Sequence, residues 1–324
     1  MLNRRELLAA GAAAANTVFA PAAQAQSFPG KPIKLIVPFP PGGTADIQAR
    51  LIGQHMAQTL GQPVVIESKP GGGTVIGSNI VATSPPDGHT LLVMANSFVI
   101  NAKLHKSLPY NGMKAFEPVA CMTDSPQLVA VAAASPFKTF KDFIDAAKAK
   151  PGTVSYATVG PTTTQHIAGE MLQRAAGIKL IYAPFTGGAP AVTAVMAGHV
   201  DVVLANVSEL AQHIEAGKMR ALAATTGKRL DAYKQLPTVG ESGYPGYEAS
   251  AWFGLVAPAG TPKDAVAKLS GAVRAALADP ELAKKIVGVG LIPYYMDQAA
   301  FAAHIAQQYE RYSKVIDDAG IKME

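Results

Sequence analysis

The chain has 324 residues, 49% of them apolar and 16% charged, with a formal net charge of +5. That is enough apolar chain for two ordinary domains, and it excludes a largely disordered protein. The basic residues form no run and do not interleave with aromatic ones, which argues against a nucleic-acid partner.

Residues 1–25 read differently from the rest. Arg4 and Arg5 precede an Ala-rich apolar stretch, and Ala23-Gln24-Ala25 stands before Gln26. A charged region, a short apolar region and an A-x-A site together make an export signal, so the mature protein is expected to begin near Gln26 and to work outside the cytoplasm. The adjacent arginines suit either the twin-arginine or the general secretory route. The apolar part is too short for a membrane anchor.

From there on, short β-rich runs alternate with longer amphipathic ones. The spacing predicts strands over 33–37, 64–67, 90–94, 119–122, 128–133, 154–157, 180–183, 200–204 and 221–225. Helices are predicted over 44–60, 74–82, 140–150, 163–176, 189–197, 207–216, 262–277, 280–287 and 298–318. In the first helix Ile47, Leu51, Met56 and Leu60 make a stripe, and Asp46 suits the positive end of the helix dipole. The helix after Gly160 opens on Thr162-x-x-Gln165, a capping-box spacing. In the next one, Pro190 suits a first turn and Gly198 a stop. This alternation predicts an α/β protein with mainly parallel sheets covered on both faces.

The block 128–249 reads as a complete α/β unit. It is flanked by "CMTDSPQLVAV" and "YEASAWFGLVAP", both strand-like. Two such strands side by side would form a paired hinge between a discontinuous first domain (26–127 plus 250–324) and a second domain (128–249), although composition alone does not choose this over two sequential domains. Cys121 is the single cysteine, in an apolar-to-turn context with no histidine nearby. It reads as a buried structural residue rather than a catalytic thiol.

Four junctions between a strand and a helix share one composition: Pro40-Pro41-Gly42-Gly43-Thr44, Pro70-Gly71-Gly72-Gly73-Thr74, Val159 to Thr164 around Gly160, and Phe185-Thr186-Gly187-Gly188-Ala189. Each sets glycine and a small hydroxyl or alanine beside a helix start. The first turn of a helix carries unpaired N–H groups and about half a positive charge. Glycine lets a guest approach that backbone closely, and threonine adds a donor. Each junction on its own reads first as a structural tight turn; together they describe a place for a small anion at the carboxyl ends of strands. Signatures of catalysis are missing. There is no phosphate-binding G-x-x-x-x-G-K-[ST], no dinucleotide fingerprint at the right spacing and no G-x-S-x-G elbow. The seven histidines show no metal-site spacing, and neither a metal nor a cofactor is expected. Asp46 and His166 are the residues an exported carboxylate-acting enzyme would use as acid or base.

"VPFPPGGTADIQARLI", "ESKPGGGTVIGSNIVATSPPDGHTLL", "YAPFTGGAPAVTAVMAGHVDVVL", "IEAGKMRALAATTGKR" and "LPTVGESGYPGYEASAWFGLVAPAGTP" resemble, in order and across the mature chain, signature blocks of the Bug proteins. These are the substrate-binding receptors of tripartite tricarboxylate transporters. The resemblance implies a periplasmic binding protein fold, with two α/β domains joined by two crossing strands and a cleft that closes on a small carboxylate. It implies membrane transporter subunits as partners and a monomeric receptor. The family's ligands include dicarboxylates and citrate-like acids, acidic amino acids, nicotinate-like compounds and aromatic acids.

Carried onto this chain, the resemblance assigns ligand contacts to Phe39, Gly42, Gly43, Thr44 and Asp46 after the first strand, and to Asn96 and Ser97 after the third. In the second domain it assigns Thr158, Gly160, Thr162, Thr163, Thr164, Gln165 and His166, then Thr186, Gly187, Gly188 and Asn206. Many relatives carry an acidic residue where Asn206 stands, so an amino-acid ligand is less well served here. The Thr-rich "GPTTTQH" replaces a more usual Gly-Ser pattern. No arginine stands in these loops, so no bidentate clamp on a carboxylate is expected. The alternative role for such a receptor is to present bound ligand to a membrane two-component sensor.

Overall fold

The computed structural model describes residues 28–105 and 107–321, so the export signal expected over 1–25 lies outside the described residues. In chain order the first elements are β1 (Ile33–Val37), α1 (Thr44–Leu60), β2 (Val64–Ser68), α2 (Val75–Ala82), β3 (Thr90–Ala95), α3 (Ser97–Leu104) and β4 (Phe116–Ala132). There follow α4 (Phe140–Ala149), β5 (Ser155–Thr158), α5 (Thr164–Ala176), β6 (Ile181–Pro184), α6 (Gly188–Met196), β7 (Val202–Asn206), α7 (Val207–Glu215) and β8 (Met219–Ala224). The chain ends with β9 (Ser250–Pro258), α8 (Lys263–Ala278), α9 (Pro280–Gly288), β10 (Ile292–Met296) and α10 (Gln298–Ala319).

Strand alternation sets the core. In β1, Leu35 and Val37 pack with α1, α8 and α9 residues such as Ile52, Met56, Leu269 and Ile286. Ile36, between them, lies on the opposite face, in a second cluster with Val81 of α2, Phe98 of α3 and Phe301 of α10. Each such fully buried leucine or isoleucine contributes about 1.5–3 kcal/mol. The second sheet is covered likewise, by Phe140, Phe143 and Leu172 on one face and by Val192, Val195 and Leu210 on the other.

The first sheet runs β2-β1-β3-β9-β4 and the second continues β4-β7-β5-β6, with β10 and β8 also paired to β4. β1 is parallel to β2 and β3, and β5 is parallel to β6 and β7. All pairings of β4 and β9 are antiparallel, so the sheets are mixed rather than mainly parallel. The cause is the pair of crossing strands, which enter each parallel set against its direction.

The two predicted strands 119–122 and 128–133 are one strand of 17 residues. Asp124, Ser125 and Pro126 read as a turn, but here the strand changes partner instead. Pairing with β9 ends at Pro126↔Ser250, and pairing with β7 begins at Gln127↔Asn206. A proline, which cannot donate to a ladder, is tolerated at such a handover. Helix α3 was not predicted because Phe98, Val99 and Ile100 are consecutive and all buried, which leaves no amphipathic signal. β10 carries Pro293 and a register irregularity, and its sequence has no alternation to read.

Candidate functional site

The chain leaves β1 through Pro38 to Gly43. Gly42 takes φ +79°, a left-handed conformation that costs glycine little. Its N–H donates to Asp46 Oδ2 at 3.0 Å. Asp46 also pairs with Arg50 at 2.9 Å. Burial raises the Asp46 carboxyl, but the Arg50 guanidinium and the Gly42 N–H more than offset this and hold it below the usual range. Asp46 is therefore an engaged, ionised brace for the loop, and an acid–base role is not served by this geometry. Gly43 is the N-cap of α1 and offers no side chain to it.

Thr44, the first residue of α1, is 3% exposed and faces the second sheet's loops. Its hydroxyl lies 2.7 Å from Ser208 Oγ and accepts from Asn206 Nδ2 at 2.9 Å. Glu209, three residues into α7, accepts from the Asn206 N–H at 3.1 Å. Burial raises the Glu209 carboxyl, against the opposing pull of the Asn206 N–H and of Thr44. The N-termini of α1 and α7 are thus held together by side chains from opposite sides of the cleft. The β6–α6 junction joins them: a methyl on Gly188 would lie 2.1 Å from Glu209 Oε1, and one on Gly187 would meet Pro40 Cγ at 3.2 Å.

At the β5–α5 junction the N-cap is Thr163, one residue later than the predicted Thr162 box. Its hydroxyl donates to Gly160 O at 2.8 Å and accepts from the His166 N–H at 3.4 Å. Thr162 reaches across the cleft instead, donating to Gly73 O at 3.3 Å. The Gly71–Thr74 run is a short 3-10 turn with four successive positive φ values. Asn101 of α3 steadies it, donating to Gly73 O at 2.6 Å and to Thr74 Oγ1 at 3.0 Å.

These junctions enclose a narrow cavity of about 60 Å³. Of the expected contacts, Phe39, Gly43, Thr44, Ser97, Thr163, Thr164, Gln165, Gly187, Gly188 and Asn206 line it. A second, wider space of about 560 Å³ lies on the other side of Phe39 and Pro40, against Gly160, Thr162 and Thr186. The starts of α1, α3, α5, α6 and α7 therefore all border one cavity. No arginine or lysine lines it, and Glu209 is its one ionisable wall residue.

The structure places five expected residues elsewhere. Gly42 and Asp46 brace the loop from behind. Asn96 is fully buried, accepts from the Trp252 N–H at 2.8 Å and donates to the Tyr312 hydroxyl at 2.9 Å, so it ties β9 and α10 to β3. Thr158 donates to Tyr182 at 3.4 Å. His166 stacks on Tyr182 at 4.3 Å with Nδ1 3.4 Å from the Tyr156 hydroxyl. Burial lowers its pKa, against an opposing pull from Glu170. The cavity also gains residues that were not anticipated: Glu209, and Ala251 and Phe253 of β9. Asn206-x-x-Glu209 has the capping-box spacing that would have drawn attention to Glu209. Cys121 is fully buried, and burial pushes its thiol up to about 12, as a structural cysteine requires. Among the described residues no cluster of His, Cys, Asp and Glu could hold a metal ion, and no helix is long and apolar enough to cross a membrane.

Known proteins share this architecture. The periplasmic binding protein BugD is 33% identical and superposes with a TM-score of 0.87, covering 92% of this chain and 100% of that one. Rpa4515 of R. palustris with adipate is 31% identical, with a TM-score of 0.88 over 91% of this chain and 99% of that one. MatC (Rpa3494) from Rhodopseudomonas palustris with bound malate is 30% identical, with a TM-score of 0.83 over 89% of this chain and 100% of that one. These likenesses fix the fold as that of a periplasmic binding protein, with two α/β halves joined by crossing strands around a cleft. Residues 48–321 match the family model described as the tripartite tricarboxylate transporter family receptor. With nearly all of its described length inside that match, the chain belongs to the tripartite tricarboxylate transporter receptor family.

Proposed function

We propose that this protein reversibly captures a small organic carboxylate in the periplasm and hands it, unchanged, to the membrane subunits of a tripartite tricarboxylate-type transporter. The observation that carries the reading is the convergence of five helix N-termini on one cavity with no basic side chain in its wall. One such terminus contributes about 0.3–1 kcal/mol to an exposed anion and towards 2 when partly buried. Micromolar affinity needs about 8 kcal/mol, so no single terminus suffices, and the hydroxyls and apolar walls of the cavity must add to the helix starts that face the guest. The bound adipate and malate of the similar proteins support a carboxylate guest.

The domains of this reading divide at 127/128 and 249/250, with 26–127 and 250–324 forming one and 128–249 the other. The handover of β4 between β9 and β7 at Pro126 and Gln127 supports that division. The protein acts as a monomer and needs no cofactor or metal. An enzymatic role is disfavoured because Asp46 and His166, its candidate acid and base, do not line the cavity.

A thermal-shift screen of purified protein against mono-, di- and tricarboxylates and aromatic acids tests the reading. A true ligand at 100 times its dissociation constant stabilises by about 2.7 kcal/mol, and it should be recovered intact after denaturation. No shift with any acid, or recovery of a converted product, would overturn it.

A further inference from the structure

Glu209 is the one acidic group in a cavity otherwise built from backbone N–H groups, hydroxyls and apolar side chains. It reaches out of the first turn of α7 and stops where the starts of three helices meet. Asn206, the cap of α7, donates its N–H to Oε2 at 3.1 Å. Burial raises the Glu209 carboxyl above its ordinary value, and the Asn206 N–H and Thr44 of α1 pull the other way. Gly188 of α6 leaves so little room that a methyl there would sit 2.1 Å from Oε1 and 2.6 Å from Oε2, and a methyl on Gly43 would sit 3.9 Å from Oε1. Backbone donors, a threonine hydroxyl and bare glycines are the surroundings that a bound carboxylate seeks at a helix start. Here the protein's own carboxylate already has them.

The consequence concerns charge. A guest carboxylate in the same cavity has the starts of α3 and α5, at Ser97, Thr163 and Thr164, left to it. A second carboxylate on the same small guest would be pressed towards Glu209. Burial already raises the Glu209 carboxyl, and a second carboxylate a few ångströms away, with no cation in the wall, either repels it or forces one of the two to take up a proton, and both weaken binding. The hydroxyl or ammonium group of a guest, by contrast, finds an acceptor in Glu209. We propose that Glu209 is a specificity-determining residue that fills one anion position of the cleft, so that the protein selects a monocarboxylate carrying a hydrogen-bond donor at its far end and rejects di- and tricarboxylates. This rests on the carboxylate-capture reading and narrows it.

The test uses sets of acids on one carbon skeleton: 6-hydroxyhexanoate, 6-aminohexanoate and adipate, and the corresponding four-carbon hydroxy acid, amino acid and succinate. Affinities are measured by titration calorimetry on the purified protein and on Glu209→Gln. The wild type should bind the hydroxy or amino acid of a set at least about tenfold more tightly than the diacid. The two donor arms tell a hydroxyl guest from an ammonium one. In Glu209→Gln that preference should shrink to about twofold or reverse, while the monocarboxylate end still binds. The wild-type comparison needs no variant, so it decides the matter even if Glu209→Gln unfolds. A wild type that binds the diacid as tightly as its partners overturns the inference and leaves carboxylate capture standing. The same holds if Glu209→Gln keeps the wild-type ratio. Failure of every mono-, di- and tricarboxylate to bind would overturn both.

Discussion

Gly188 is the position where the site tolerates least. A methyl there would meet Glu209 at 2.1 Å, far inside contact distance, so Gly188→Ala must expel the carboxylate or shift α6. Overpacking of this kind costs about 1–3 kcal/mol. Thermal unfolding should therefore show a clear loss for Gly188→Ala. It should show a smaller one for Gly187→Ala, whose methyl meets only Pro40 Cγ at 3.2 Å and whose backbone is extended at φ −176°. Equal losses would mean that Glu209 does not sit where the three helix starts meet. The glycines and threonines of these junctions were legible from the sequence, because a turn and a helix cap are local matters. Asn96 was legible only as a residue near the site. Its partners Trp252 and Tyr312 lie 156 and 216 residues away, and no local pattern announces them.

Among the elements, β4 carries the most information that the sequence hid. Its polar centre reads as a break, yet the ladder runs through it because two strands of different sheets share the load. Asp124 lies at this crossing, paired in register with Trp252 of β9 and Ile292 of β10. Burial pushes its carboxyl up to about 6, against opposing hydrogen bonds from Ser250 and the Ser125 N–H and with a further upward push from Glu248. The folded state thus holds this proton more tightly than the unfolded chain does. Stability is present in full below the ordinary carboxylate pKa, and it falls as pH rises from about 4 towards 6. Asp124→Asn removes that loss. Denaturant unfolding should find the variant about 1–3 kcal/mol more stable than wild type at pH 7.5, with the gain gone near pH 4. A difference of the same size at both pH values would show that the crossing strands do not feel this charge. Helices with one apolar face were found within a residue or two of their true ends, whereas α3, buried on every side, had no face to show.

At the scale of the whole molecule, the two strand-like runs that bracket the block 128–249 were legible, and β4 and β9 do lie side by side, but composition alone does not choose a discontinuous first domain over two sequential ones. Contacts across the cleft were not legible, because they join loops that sequence analysis treats one at a time. Thr44 to Asn206 and Ser208, Thr162 to Gly73, and Gly187 against Pro40 all bridge the two sides. If capture works by closure, these contacts must part for a ligand to leave. The Pro40–Gly187 pair allows a direct trial. A Cβ on Gly187 would stand 3.7 Å from Pro40 Cβ, inside the range of about 3.5–4.5 Å that a disulfide needs. Gly187 has an extended backbone that cysteine adopts without strain. Cys121, the single native cysteine, is buried and should not compete. Oxidised Pro40→Cys/Gly187→Cys protein loaded with ligand should therefore release it at least about tenfold more slowly than wild type, and the reduced form should recover the wild-type rate. Release at the wild-type rate from fully oxidised protein would mean that ligand leaves without the two sides separating, and the closure mechanism would have to be given up.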